Sequence, residues 1–105
     1  MKRRYETLLL FSPELNSEER QGLLENFSNV ITGQGGEVAL VDDWGMKQLA
    51  YPVKKQTRGS YVRLEYVLPG ESVAELERII RIADGVFRYV TVKLDDNVAV
   101  ETAEA

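Results

Sequence analysis

The sequence predicts an α+β sandwich, and three observations carry that expectation. Apolar residues alternate with period two over four segments and recur at helical spacing over two more. The segments follow one another as strand, helix, strand, strand, helix, strand, and the whole chain is only 105 residues long, enough for one core without disulfide staples. Right-handed crossovers then favour the ferredoxin-like split βαβ sandwich (βαββαβ), a four-stranded antiparallel sheet with both helices on one face.

Each element follows from its residues. The first strand covers residues 3–11, with Tyr5, Thr7, Leu9 and Phe11 on one face and Glu6, Leu8 and Leu10 on the other; both faces are partly apolar, as a central strand requires. Asn16 with Glu19 three residues on has capping-box spacing, and Leu23, Leu24, Phe27, Val30 and Ile31 form the apolar stripe of a first helix, ended by Gly33, Gly35 and Gly36. Residues 37–44 alternate as a second strand that continues past Gly45, a bulge position, through "KQLAYPV". Pro52 has no N–H to give a ladder, so this strand belongs at a sheet edge. The polar stretch "KKQTRG" reads as a turn, and residues 60–68 as a third strand with Val62, Leu64, Tyr66 and Leu68 on one face and Tyr61, Arg63 and Glu65 on the other. Ser72 and Glu75 have the spacing of a second capping box, and Leu76, Ile79, Ile80 and Ala83 form the stripe of a second helix, stopped by Asp84-Gly85. The fourth strand covers residues 86–94, where both faces are apolar and periodicity does not choose the buried one. The domain is expected to span residues 1–94, followed by an acidic, disordered tail over 95–105.

Composition removes most catalytic chemistry. Cysteine and histidine are both absent, so thiolate and imidazole metal sites, the usual nucleophile-base pairs and a neutral-pH proton shuttle have no residues to build them. Asp42-Asp43 and Asp95-Asp96 are consecutive, which in a strand sends the two carboxylates to opposite faces, away from any shared metal or substrate. "SPELNSE" offers no glycine-rich nest for the phosphate chemistry of acylphosphatase-like domains. The expectation is no enzyme, no metal, no cofactor and no small-molecule substrate. No apolar run approaches the ~20 residues of a membrane span, and "MKRRYETLLLF" is too short in its apolar part for a signal peptide, so a cytoplasmic location is expected.

Charge is unevenly placed. The chain holds 17 acids and 13 bases, yet residues 44–64 contain Lys47, Lys54, Lys55, Arg58 and Arg63 and no acid at all. Lys2, Arg3 and Arg4 open the chain, and Arg88 and Lys93 lie in the last strand. A molecule with one basic side can bind a polyanion although its net charge is negative. Lysine-rich turns also serve simply to solvate a hairpin and protect an edge, but total avoidance of acid over this stretch favours phosphate binding. The face without helices would present Leu8, Leu10, Tyr61, Arg63 and Glu65, a surface suited to a partner. "RGSYVRLEY" only weakly matches the RNA-recognition motif of the same topology, because Ser60 stands where a stacking aromatic belongs. Aliphatic Leu8 and Leu10 suit a protein partner better than splayed bases.

Three segments carry a resemblance to a known family: "MKRRYETLLLFSPEL", "WGMKQLAYPVKKQTRGSYVRLEY" and "RIIRIADGVFRYVTVKLD". Gly45, Lys47, Leu49, Ala50, Tyr51, Pro52, Val53 and Lys55 stand in the glycine, basic residue, Leu-Ala-Tyr-Pro, hydrophobe, lysine pattern of the bacterial small-subunit ribosomal protein six family, which residues 1–94 resemble. The resemblance implies a non-catalytic role: pairing with small-subunit ribosomal protein eighteen, and binding of the pair to the central domain of small-subunit ribosomal RNA. Matching positions expected to contact RNA are Arg3, Arg4, Lys47, Lys55, Arg88 and Lys93, while Lys2, Lys54 and Arg58 follow from charge placement alone. Leu8, Leu10, Tyr61 and Arg63 are the expected protein-partner surface, although Arg63 stands where some relatives carry an aromatic. Cations from the chain's start, the hairpin and the last strand are expected to converge on one flank. The isolated chain is expected to be a monomer; the rival expectation is a self-associating ferredoxin-like ligand-binding or regulatory module whose open sheets pack together.

Overall fold

A computed structural model describes residues 2–95. The expected acidic tail lies outside the described residues apart from Asp95. β1 (Lys2–Phe11), α1 (Ser17–Gly33), β2 (Glu37–Val53), β3 (Gln56–Pro69), α2 (Val73–Ile82) and β4 (Val86–Asp95) follow in the predicted order, with a short 3-10 turn over Gly70–Ser72 before α2. The sheet order is β2-β3-β1-β4, every pair antiparallel. This is the ferredoxin-like sandwich. Pro52 lies in the edge strand β2, where its missing N–H costs no ladder bond.

The core forms where the strand alternation meets the helical stripes. Tyr5, Leu9 and Phe11 of β1 and Val62, Leu64, Tyr66 and Leu68 of β3 pack against Phe27 and Ile31 of α1 and Leu76 and Ile80 of α2. Thr7, also fully buried on this face, satisfies its hydroxyl with Tyr66 Oη at 2.8 Å and Thr91 Oγ1 at 3.0 Å. The Tyr5 and Tyr66 rings stack at 5.8 Å between centroids.

Asn16 caps α1 as its spacing predicts: its Oδ1 accepts the Glu19 backbone N–H at 2.7 Å, and Glu19 Oε1 accepts the Asn16 N–H at 2.9 Å. At the other end Gly35 has φ +86°, and the Gly36 N–H returns to the Ile31 carbonyl at 2.8 Å. Gly36 is also required by contact, since a Cβ there would strike the Val67 carbonyl oxygen.

Four local points change or complete the expectations from sequence. Ser72 does not cap α2; its Oγ donates to Gln34 Oε1 at 3.1 Å, and Glu75 pairs with Arg78 instead of closing a capping box. "KKQTRG" is not a six-residue turn, because β3 already begins at Gln56 and only Lys54 and Lys55 link it to β2. Both have positive φ, 50° and 67°, as a type I′ hairpin turn demands. The buried face of β4 is settled by a bulge: Leu10 pairs with Arg88 but Phe11 pairs with Val86, which leaves Phe87 without a partner on β1. Val86 and Tyr89 therefore both reach the core although they are three residues apart, and Val90 and Val92 are exposed.

The fourth change concerns Leu10, which is not on the surface. Only 2 % of it is exposed, yet it does not belong to the core beneath the helices. The long β2–β3 hairpin folds across the end of β1 and reaches β4. Tyr51 stands 6.0 Å from the Arg88 guanidinium, Lys54 Nζ is 5.9 Å from the centre of the Phe87 ring, and Gln56 Nε2 reaches Glu14 Oε2 at 3.5 Å. A Cβ on Gly59 would come within 2.5 Å of Leu10 Cδ1, so this glycine is what lets the hairpin lie against Leu10. Leu10 contributes to seating the hairpin, not to an exposed partner surface.

Candidate functional site

The sheet face away from the helices is the first candidate surface. Cross-strand pairing sets Glu6 and Leu8 of β1 opposite Glu65 and Arg63 of β3, with Arg4 and Tyr61 on the same face, Asp42 of β2 opposite Arg63 and Val90 of β4 opposite Leu8. Its centre is an ion network rather than a hydrophobic plain. Arg63 Nη1 donates to Glu6 Oε1 at 2.8 Å and to Glu65 Oε1 at 3.1 Å, its Nε is 3.8 Å from Asp42 Oδ2, and Arg4 Nε donates to Glu65 Oε2 at 2.8 Å. Partial burial opposes the Arg63 charge, but the hydrogen bonds it donates to Glu6 and Glu65, with their negative charge, outweigh that and raise its pKa. Two guanidiniums thus face three carboxylates, leaving the network one negative charge in excess.

Apolar groups rim this network. Leu8 is partly exposed, and Val90, Val92, Leu40 and Trp44 are exposed. Trp44 lies 6.3 Å from the Tyr61 ring and donates its indole N–H to Asp42 Oδ2 at 3.0 Å, which holds it beside the network. Sequence reasoning placed Leu8, Tyr61 and Arg63 here and missed Trp44, because the Gly45 bulge, with φ +82° and its N–H on Asp43 Oδ1, shifts the alternation of β2 at that point.

The cations do not converge on one flank as the sequence suggests. Lys2 pairs with Pro69 at one end of β1 and Phe11 with Ser60 at the other, so antiparallel pairing sets Lys2, Arg3 and Arg4 roughly 25–30 Å from the hairpin end. Lys93, opposite Tyr5, joins the group at the start of β1. Within that group Arg4 is committed to Glu65, and Arg3 Nε is buried without a hydrogen-bond partner among the described residues. The second group gathers Lys47, Lys54, Lys55, Arg58 and Arg88 at the hairpin end and the start of β4. Among the described residues, none of these five forms an ion pair with a carboxylate. Side chains so placed retain their full charge for an anion. The described residues contain no cluster of three or more potential metal-ligating His, Cys, Asp or Glu.

Comparison with known proteins agrees with this architecture. The family model described as Ribosomal protein S6 matches residues 4–93. The small ribosomal subunit protein bS6 of Nitratidesulfovibrio vulgaris is 59% identical over 96 residues, covering 91% of this chain and 95% of the relative. That of Oleidesulfovibrio alaskensis is 61% identical over 94 residues, covering 90% and 93%. Among solved structures, 30S ribosomal protein S6 from Thermotoga maritima superposes with a TM-score of 0.83 at 28% identity, covering 90% of this chain and 89% of that one. An uncharacterized protein of the same organism, at a TM-score of 0.57 and 22% identity over 90% of this chain and all of its own, shares the fold alone. The self-associating alternative gains nothing from these relatives. Matched along nearly its whole described length, the chain belongs to the ribosomal protein S6 family of structural, non-enzymatic proteins.

Proposed function

We propose that this protein is a structural component of the small ribosomal subunit that binds small-subunit ribosomal RNA, in its central domain, as a heterodimer with small-subunit ribosomal protein eighteen. That role makes it cytoplasmic, with the ribosome. The observation that carries the reading is the division of labour across one sheet. Cations that form no ion pair among the described residues crowd the hairpin end, while the open face pairs its charges with one another, one negative charge in excess, and is rimmed with apolar groups. Phosphates suit the first surface, and a protein suits the second.

Lys47, Lys54, Lys55, Arg58 and Arg88 contact RNA at the hairpin end; Lys2, Arg3 and Lys93 do so from the far end of β1, and Arg4 reaches phosphate only by leaving Glu65. The partner covers Leu8, Tyr61 and Arg63, together with Val90 and Trp44. The excess negative charge of the Arg63 network favours a basic partner. Such a partner would also supply cations that this acidic chain lacks, so the isolated protein binds ribosomal RNA weakly and the heterodimer binds it well. Titration of a transcribed central-domain fragment with the chain alone and with the pair tests this, and equal affinity without the partner contradicts it. Light scattering on the purified chain is expected to give a monomer, and the chain is expected to co-sediment with small subunits from cells.

A further inference from the structure

We propose that Tyr51 presents its ring as a stacking platform for one unpaired base of RNA, with the cations around it taking the phosphates beside that base. The inference rests on the RNA-binding reading above and adds to it a contact residue and the kind of nucleotide it takes. Tyr51 is 61 % exposed, more than any other aromatic side chain among the described residues. The Arg88 guanidinium stands over the ring, 6.0 Å from its centre. With most of the side chain in water, one face of the ring is backed by a cation and the other is open.

The register of the edge strand puts the ring there. β2 and β3 pair at Gln48 with Arg58 and again at Val53 with Gln56, so residues 49–52 of β2 stand against Thr57 alone. Four residues against one make a large bulge, and Pro52 within it has no N–H to bring to a ladder. The segment reaches β4 instead. Tyr51 meets Arg88 there, and three residues on Lys54 Nζ stands 5.9 Å from the centre of the Phe87 ring.

A ring kept for packing alone would be buried, and this one gives most of its surface to water. Its surroundings are cationic. Residues 44–64 and 85–94, which supply both sides of the contact, contain no acid. Lys54, Lys55 and Arg88 are exposed, and none of them forms an ion pair among the described residues. Glu14 meets the hairpin through Gln56 Nε2, at 3.5 Å, rather than through a cation. An open aromatic face among such cations suits a nucleotide, with its flat base and anionic phosphate, better than an apolar or a cationic ligand. A base within a duplex already has both faces stacked on its neighbours, so the occupant is unpaired.

The test uses the full-length chain in complex with small-subunit ribosomal protein eighteen and a fluorescein-labelled transcript of the central domain of small-subunit ribosomal RNA. Tyr51→Leu and, as a polar second variant, Tyr51→Gln are each expected to weaken binding about tenfold and to leave the slope of log affinity against log salt unchanged, because stacking releases no counterions. Tyr51→Phe keeps the ring and is expected to bind as the wild type does. Arg88→Ala supplies the contrast, a loss of affinity with the slope lowered by about one. Thermal melts and a titration with the partner protein accompany each variant. Wild-type RNA affinity in Tyr51→Leu and Tyr51→Gln overturns the platform, as does an equal loss in Tyr51→Phe, which would make the hydroxyl the contact. A slope lowered in Tyr51→Leu as in Arg88→Ala also overturns it, since the ring would then act only by holding the guanidinium. Lost affinity for the partner protein in place of RNA would assign the ring to the protein interface and overturn it as well. A wild-type complex that does not bind the transcript defeats the RNA reading itself, and this contact with it.

Discussion

Tyr66 shows how one hydroxyl ties the core to pH. Burial pushes its pKa up to about 12, against the partial help that hydrogen bonds from Thr7 and Thr91 give the ionised form. The unfolded chain ionises this phenol near its ordinary value of 10.0, so it loses protons before the folded chain does and the fold loses stability between about pH 10 and pH 12. Chemical denaturation across that range should show Tyr66→Phe falling less steeply than wild type, by roughly 2–3 kcal/mol at the alkaline end. At neutral pH the same variant should cost about 1 kcal/mol for the lost hydrogen bond. Leu8 and Leu10 provide a second comparison, because the alternation of β1 puts them on one face and the structure separates them. Leu8→Asp should change stability by less than about 1 kcal/mol and abolish partner binding, whereas Leu10→Asp should destabilise by more than about 3 kcal/mol, since it buries a carboxylate under the hairpin. Equal stabilities for the two variants would contradict the hairpin packing. That difference was not legible in the sequence: period two reports which face a residue takes, and says nothing of what folds over it.

At the scale of elements, regular strands and helices were readable and departures from regularity were not. β1 and β3 keep strict alternation, so Tyr5, Leu9, Val62, Leu64, Tyr66 and Leu68 could be assigned to the core directly. In β4 the bulge at Phe87 adds one residue and breaks the two-residue period, which is why its apolar residues on both faces gave no answer. The capping pattern worked for Asn16, where the chain enters the helix extended, and failed for Ser72, which ends a 3-10 turn with helical backbone angles and so cannot aim its hydroxyl back at the first turn. The hairpin turn is the element whose sequence fits its geometry least well. Type I′ turns favour Asn-Gly, and Lys54-Lys55 adopt positive φ at both positions. Lys54→Asn with Lys55→Gly should therefore raise stability by about 1 kcal/mol in denaturant titrations while weakening RNA binding by the complex. Stability without any loss of RNA affinity would show that the two lysines serve only the hairpin. Gly36→Ala should destabilise the fold by more than about 2 kcal/mol, because the clash is with the fixed carbonyl of Val67 rather than a movable side chain.

For the molecule as a whole, the family resemblance, the sandwich and the acid-free hairpin were all accessible from residue order, and the spatial distribution of charge was not. Three cations at the chain's start look adjacent to the hairpin when strands are only counted. Antiparallel register puts them at opposite ends of the sheet. Likewise alternation puts Glu6, Arg63 and Glu65 on the open face, but only the strand register brings Glu6 and Asp42 within reach of Arg63. What emerges is an acidic protein with a basic end, whose cations form no ion pair among the described residues, beside a sheet face whose charges pair with one another. The most direct measurement of that division is the salt dependence of central-domain RNA affinity for the heterodimer, comparing wild type with a variant carrying Lys54→Ser, Lys55→Ser and Arg58→Ser. Loss of these phosphate contacts should weaken binding and flatten the log–log slope by about two to three, with partner affinity unchanged. An unchanged slope and affinity, or loss of the partner in place of loss of RNA, would contradict it.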